Sequence, residues 1–168
     1  TNLTVTATTG TIKYTDATVA HTFAGGGKTY GNVWFSQGAN TNTITISGSN
    51  TFTDFKDDGS AAHSILFTAG TTTTVTTFTV SGTAGNVITL NSTTTATFAL
   101  TKVGGGTICR DYLNIQHSVA TPATTWYAGA NSTDNQGVAT AGSGWTFTAC
   151  PSTSTGGVHP TLLLCGVG

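Results

Sequence analysis

The chain has 168 residues, of which 41 are threonine and 22 are glycine, and its formal net charge is -1 at neutral pH. Charged residues make up 7% of the chain, where roughly 25% is usual in soluble domains. Its few basic residues are scattered along the sequence, whereas phosphate contacts need clustered ones, so we expect no nucleic-acid partner. Its apolar runs are too short to span a bilayer, so we expect no membrane contact.

The predicted elements are all strands. Apolar and hydroxyl-bearing residues alternate in residues 3–7, 43–47, 75–80 and 145–149, which places one kind of side chain on each face of a strand. Glycine and serine clusters between these runs are typical of turns. Threonine, valine, isoleucine and phenylalanine favour strands, so the sequence predicts an all-β protein whose surface carries hydroxyl groups rather than ions.

A degenerate repeat runs through the middle of the chain. Its leading strands recur at Ile44, Ile65, Val87 and Ile108, with spacings of 21, 22 and 21 residues. This spacing favours a single-stack, right-handed parallel β-helix (a β-solenoid) of about five or six coils. The alternative is an antiparallel β-sandwich or jelly roll, which also needs many short strands. The expected core ladder consists of Ile44, Ile65, Val87, Ile108, Phe55, Phe78 and Leu100.

An aromatic segment, residues 125–149, follows the repeats and is predicted to cap the last coil. Trp126, Tyr127 and Trp145 would cover the apolar end, while Asn131 and Asp134 would satisfy turn backbones. The alternative is a ligand platform on which the rings stack against sugars. The domain is therefore expected to span residues 1–149, and the tail 150–168 to dock on another element or continue into one.

The resemblance to a known family is carried by several segments. They are residues 22–30, 67–92, 111–116, 126–134 and 143–147. Together they resemble a family of Thr/Gly-rich β-helical modules found in tailed-phage virion proteins and phage-like structural proteins. The resemblance extends over about three quarters of the chain, and its most specific part pairs Trp-Tyr-Ala-Gly with Gly-Trp. It implies a parallel β-helix in a virion-surface or tail-associated protein, and no fixed activity.

The cysteines and carboxylates offer little chemistry. The three cysteines allow one disulfide and one free thiol: a Cys150–Cys165 bond would close a short tail loop, and Cys109, in an apolar strand, is equally well explained as a buried unpaired thiol. Four aspartates, at positions 54, 57, 58 and 111, are the candidates for polysaccharide cleavage by paired carboxylates. Asp57-Asp58 precedes a glycine and is more simply a polar turn. We therefore expect no catalytic residues, no metal site and no cofactor.

These observations predict a non-enzymatic structural protein of a tailed phage, located on the virion surface or outside the cell. It would decorate the capsid or form part of a tail fibre, with other virion proteins as partners and a homotrimer as one arrangement. The first alternative is an adhesin or carbohydrate-binding module that recognises a host-surface glycan. The second is an ice-binding solenoid, suggested by Thr-x-Thr pairs at 4–6, 43–45, 77–79, 95–97 and 146–148.

Overall fold

The computed structural model of the chain describes residues 9–136 and 143–151. Within these ranges the chain forms strands and turns, and no helix long and apolar enough to cross a membrane is found there. The strands are β1 (Thr11–Tyr14), β2 (His21–Ala24), β3 (Thr29–Phe35), β4 (Ile44–Ser47), β5 (Thr51–Asp57), β6 (His63–Phe67), β7 (Thr72–Val80), β8 (Ile88–Ser92), β9 (Phe98–Lys102), β10 (Ile108–Cys109), β11 (Leu113–Ile115), β12 (Ser118–Thr121), β13 (Trp126–Tyr127), β14 (Thr133–Asp134) and β15 (Trp145–Thr146).

The strands form three parallel sheets. Sheet 1 has the order β1-β3-β5-β7-β9-β12, sheet 2 the order β2-β4-β6-β8-β11-β14, and sheet 3 the order β10-β13-β15. From β1 to β9 successive strands alternate between sheets 1 and 2, and from β9 to β14 the chain passes through sheets 1, 3 and 2 in turn. Each turn of the chain therefore adds one strand to sheet 1 and one to sheet 2, and the coils stack about six high. The predicted parallel β-solenoid is confirmed. The antiparallel sandwich or jelly roll is wrong, because the strand pairs of the described chain are parallel.

Sheet 1 turns a corner within its longest strands. In β7, Val75 and Phe78 are buried while the two residues between them, Thr76 and Thr77, point outwards, and β5 has the same pattern. Strict alternation would bury every second residue, so two consecutive outward side chains mark a bend. The second half of β7 lies beside sheet 3, because the rings of Phe78 and Trp126 pack 5.7 Å apart.

The core ladder differs in register from the predicted one. Ile44 pairs with Ile65, but Ile65 pairs with Leu90, and Leu90 in turn pairs with Ile115. Val87 lies outside β8 and is only half-buried, so its predicted place in the ladder is wrong. The other six predicted core residues are buried: Ile44, Ile65, Ile108, Phe55, Phe78 and Leu100. Ile108, however, pairs with Trp126 in sheet 3 rather than with the ladder of sheet 2.

The inner ladder of sheet 2 is polar at both ends. His21 pairs with Ile44 at the first coil, and Asp134 pairs with Ile115 at the last. The ring Nε2 of His21 donates to the Asp16 carbonyl at 2.7 Å, and Asp134 is exposed. A charge at an inward register position discourages another strand from adding to a sheet edge. In the described chain the inner ladder is therefore apolar along its middle and has a polar residue at each end.

Candidate functional site

The two tryptophans of the aromatic segment are core residues. Trp126 is fully buried and Trp145 is 8% exposed, and they lie opposite each other in β13 and β15. Their ring centroids are 5.1 Å apart in an edge-to-face arrangement. Trp126 Nε1 donates to the Thr121 carbonyl at 2.9 Å, and Trp145 Nε1 donates to Ser118 Oγ at 3.0 Å. A sugar platform needs an exposed ring face, and neither indole provides one.

Their position also differs from the predicted cap. The rings do not lie across the finished stack. They continue the ladder that starts at Ile108, one residue per coil, through the last coils of sheet 3. Large rings fill this end because sheet 3 has only two-residue strands, which supply few other side chains to the core.

Two glycines explain the spacing of the aromatic signature. Gly129 and Gly144 both have positive φ, 90° and 79°, which L side chains rarely adopt. A Cβ on Gly129 would collide with the Asp111 carboxylate, and one on Gly144 would collide with the Ala120 carbonyl. The Trp-Tyr-Ala-Gly and Gly-Trp pieces are therefore packing requirements, and no ligand is needed to explain them.

The polar members of the signature bond to a neighbouring coil. The backbone N–H of Asn131 donates to Asp111 Oδ1 at 2.9 Å, and its side-chain amide donates to Oδ2 at 2.8 Å. Burial raises the pKa of Asp111, but the Asn131 bonds and the Tyr112 N–H outweigh it and leave the pKa below its usual value. Tyr127 is half-buried and lies between Cys109 and Thr146 on the outside of sheet 3.

The disulfide joins Cys109 to Cys150, with their Cα atoms 5.6 Å apart. The predicted pairing of Cys150 with Cys165 is therefore wrong, and Cys165 lies outside the described residues, as does the tail from residue 152 onwards. The physical reason is the fold: β10 and β15 belong to the same sheet, so the chain that follows Trp145 returns past Cys109. The bond fastens the last coil to the flank of an earlier one.

The four candidate carboxylates are each held by a different partner. Asp54 accepts hydrogen bonds from Thr77 and Thr79, Asp58 lies 3.7 Å from the Lys56 ammonium, and Asp111 is bound by Asn131 as above. The fourth carboxylate, Asp57, forms a buried ion pair with His63. Each of the four carboxylates thus has a structural partner of its own.

The Asp57–His63 pair closes the turn between β5 and β6. Asp57 Oδ2 and His63 Nε2 are 2.9 Å apart, with both side chains essentially inaccessible, and His63 Nδ1 donates to the Ala61 carbonyl at 2.9 Å. Burial lowers the pKa of His63, but the hydrogen bond and charge of Asp57, helped by the Ala61 carbonyl, raise it above its usual value. The two ring nitrogens thus face two oxygens near the turn, Nε2 the Asp57 carboxylate and Nδ1 the Ala61 carbonyl.

The third tryptophan, Trp34, lies on the outside of β3. Lys13 and Lys56 are its register neighbours, and their ammonium groups lie 3.7 Å and 4.0 Å from the ring centroid. These cation–π contacts occupy the ring from both neighbouring coils. Trp34 is thus held by structural contacts to both neighbouring strands.

The Thr-x-Thr pairs picked out in the sequence do not share one face. Thr45 lies opposite Leu66, Thr79 lies opposite Lys56, and Thr146 lies opposite Tyr127. Residues 4–6 lie outside the described chain, and residues 95–97 belong to a turn. These pairs therefore do not form the flat array that the ice-binding alternative requires, because the turns between strands differ in length and shift the register from coil to coil.

A different set of threonines does line up. We call it the threonine file; it consists of Thr29, Thr51, Thr74, Thr101 and Thr121, which lie opposite one another on β3, β5, β7, β9 and β12. The hydroxyls of Thr101 and Thr121 are 2.9 Å apart. The sequence alone gives no signal for this file, because its members are not at a constant spacing.

No group of three or more histidine, cysteine, aspartate or glutamate side chains in the described ranges is placed to hold a metal ion. A scan against protein-family models, a search of curated proteins and a search of solved structures each found no match to the chain.

Proposed function

We propose that this protein is a non-enzymatic structural module on the surface of a virus particle. The resemblance of its repeats points to a tailed phage, where the module would decorate the capsid or form part of a tail fibre. Its partners would be other virion proteins, and its place the virion surface. A homotrimer is one arrangement that such a role allows.

One observation carries the proposal: the core runs unbroken from coil to coil through the described chain, with polar residues, His21 and Asp134, at the two ends of the inner ladder of sheet 2. The six described coils form a stack about 25–30 Å long at the spacing of neighbouring strands. A polar residue at either end of this ladder discourages the addition of a further strand there. A rod of this kind presents its sides to a partner and needs no moving part.

Two further features support a mechanical role. The disulfide ties the last coil to the flank of the rod, and the buried ion pair of Asp57 and His63 holds a corner closed. Both features stiffen the module. The adhesin alternative loses the platform that suggested it, because Trp126 and Trp145 are buried.

Quantitative mass spectrometry of particles purified on a density gradient tests the proposal. The particles are those whose genome encodes the chain. We expect the chain to co-purify with the major capsid or tail proteins at a fixed copy number per particle. A chain left in the soluble fraction of the lysate, while the particles are complete without it, would contradict the proposal.

A further inference from the structure

A small pocket opens on the outside of sheet 1, where the turn before β7 meets the starts of β9 and β12. Its volume is about 260 Å³. Ala99 lies between Thr72 and Val119 on the neighbouring strands, and its short side chain leaves a gap in this outward row. We call it the corner pocket; it is lined by Gly70, Thr71, Thr72, Thr97, Phe98, Ala99 and Val119.

The walls of the corner pocket are held in place by the fold. The N–H of Ala99 donates to the Thr71 carbonyl at 2.9 Å, and the Thr71 hydroxyl donates to the Thr68 carbonyl at 2.7 Å. The ring of Phe98 stacks on that of Phe67, with the centroids 4.6 Å apart. The pocket is therefore preformed, and little conformational entropy is lost when a group enters it.

The strands around the corner pocket present uncharged side chains. On β7, β9 and β12 and just after β9, the outward side chains bear only hydroxyl and methyl groups: Thr72, Thr74, Thr76, Ala99, Thr101, Val103, Val119 and Thr121. Lys102 is 7% exposed, and its ammonium donates to three backbone carbonyls. Asp54 and Lys56 lie beyond the bend of sheet 1, opposite Thr77 and Thr79. An apolar group can therefore enter the pocket without desolvating a charge.

The volume of the corner pocket decides what size of group it can hold. A cavity of about 150 Å³ takes one benzene ring, whereas pockets for drug-sized molecules start at about 300 Å³. The corner pocket, at about 260 Å³, therefore suits one aromatic side chain. Aromatic side chains buried in pockets are frequent anchors of protein–protein interfaces.

Such a ring has to come from a different protein. The chain's eight Phe, four Tyr and three Trp residues all lie in the described ranges, and each of them is buried or half-buried. A second copy of the chain thus has no exposed ring to insert. The uncharged strands around the pocket also span only about 240 Å² at the strand spacings, against about 800 Å² that each partner buries in a stable complex. The pocket is therefore an anchor point within a larger contact.

We propose that the corner pocket is the point at which this module docks on its particle, and that it takes one aromatic side chain of a neighbouring virion protein. The inference rests on the proposed virion role and adds the place and the chemistry of the contact. Ring and pocket are both uncharged, so the burial of apolar surface drives the contact. The threonines around the pocket supply hydroxyls to the polar rim that such a contact needs.

The first experiment asks whether the pocket takes a ring. The whole chain is labelled at its alanine and valine methyl groups and titrated with N-acetylphenylalanine amide, and the methyl chemical shifts are followed by NMR. N-acetylalanine amide is the matched probe without a ring. We expect saturable shifts of Ala99 and Val119 at millimolar concentrations of the first probe only. Val19, which is 46% exposed in the turn between β1 and β2, reports non-specific contact and should not shift.

The second experiment closes the pocket. Ala99→Leu fills it and Val119→Lys places a charge at its rim, so either variant should abolish the shifts. In the particle assay above, each should also lower the copy number of the chain about tenfold or more. Thr45→Leu is the matched control, because Thr45 is an outward, half-buried strand residue of sheet 2 and lies opposite Leu66. Circular dichroism confirms that each variant is folded, and two pocket variants keep the test valid if one fails to fold.

Two kinds of result would overturn the inference. One is a titration without saturable shifts, or one in which Val19 shifts as much as Ala99. The other is a set of particles that hold both pocket variants at the wild-type copy number. Particles that lack the wild type contradict the proposed function instead, and the titration then still decides whether the pocket takes a ring.

Discussion

Replacing His63 by isoleucine removes one partner of the buried ion pair. Isoleucine suits the position, because Ile88 lies opposite His63 on the next coil. The change leaves the Asp57 carboxylate, which is 4% exposed, without its counter-charge. Breaking a buried pair in this way costs about 3–5 kcal/mol. We therefore expect the free energy of unfolding of His63→Ile, measured by urea titration and circular dichroism, to fall by that amount.

The matched control removes both charges. Val80 lies opposite Asp57 on the next coil, so Asp57→Val combined with His63→Ile continues two existing ladders. Replacing a buried pair by apolar residues of similar volume is often neutral or stabilising, so the double variant should stay within about 1 kcal/mol of the wild type or exceed it. A double variant as unstable as His63→Ile would refute the reasoning, as would a single variant as stable as the wild type.

The pair also makes the stability depend on pH. The folded protein raises the pKa of His63 above its value of 6.5 in a model compound. The stabilisation is complete below that unfolded value and is lost as pH rises through the folded pKa. Urea titrations at about pH 6 and about pH 9 should show the wild type losing stability over this interval, while the double variant loses less. Wild-type stability that rises over the same interval would contradict the assignment.

Three further changes test the aromatic core, the disulfide and the turn that Asn50 holds. Phe55→Ala should cost about 3–5 kcal/mol in urea titrations, because the ring is fully buried among four others, whereas Thr45→Ala should cost about 0.5 kcal/mol or less. Replacing Cys109 and Cys150 together by serine should cost about 4 kcal/mol, as expected for a closed loop of this size, and a thermal melt in reducing buffer should make the wild type resemble the variant. Asn50→Ala should cost about 1–3 kcal/mol, because the buried amide bonds three backbone groups of the corner, and a cost near zero would show that the corner closes without it.

The fold could be predicted from the sequence because alternation and repeat length both report on a parallel stack. The register could not. The inner residues Ile65, Leu90 and Ile115 are 25 positions apart in each step, whereas Ile44 and Ile65 are 21 apart. The corners absorb the difference, and the spacing of about 21 residues led from Ile65 to Val87, which lies just outside β8.

The role of the aromatic segment was harder to predict, because it depends on whether the rings are buried. The sequence around Trp126 and Trp145 is compatible with a cap, a sugar site or a core position. The pairing of β13 with β15 places both residues in the core. Predicting the disulfide also requires the strand pairing, because Cys109 and Cys150 are 41 residues apart in the sequence. The threonine file could not be found in a chain with 41 threonines until the strands were aligned.

The most direct test of a sealed, structural module is the solvent exposure of Trp126 and Trp145. Trp34 is replaced by phenylalanine so that the other two indoles alone report, and fluorescence is quenched with acrylamide before and after unfolding in urea. We predict emission typical of buried indoles and weak quenching in the folded chain, which rises to the level of free tryptophan only on unfolding. Strong quenching in the folded chain would contradict the structural role of the aromatic segment and return it to the surface as a binding platform.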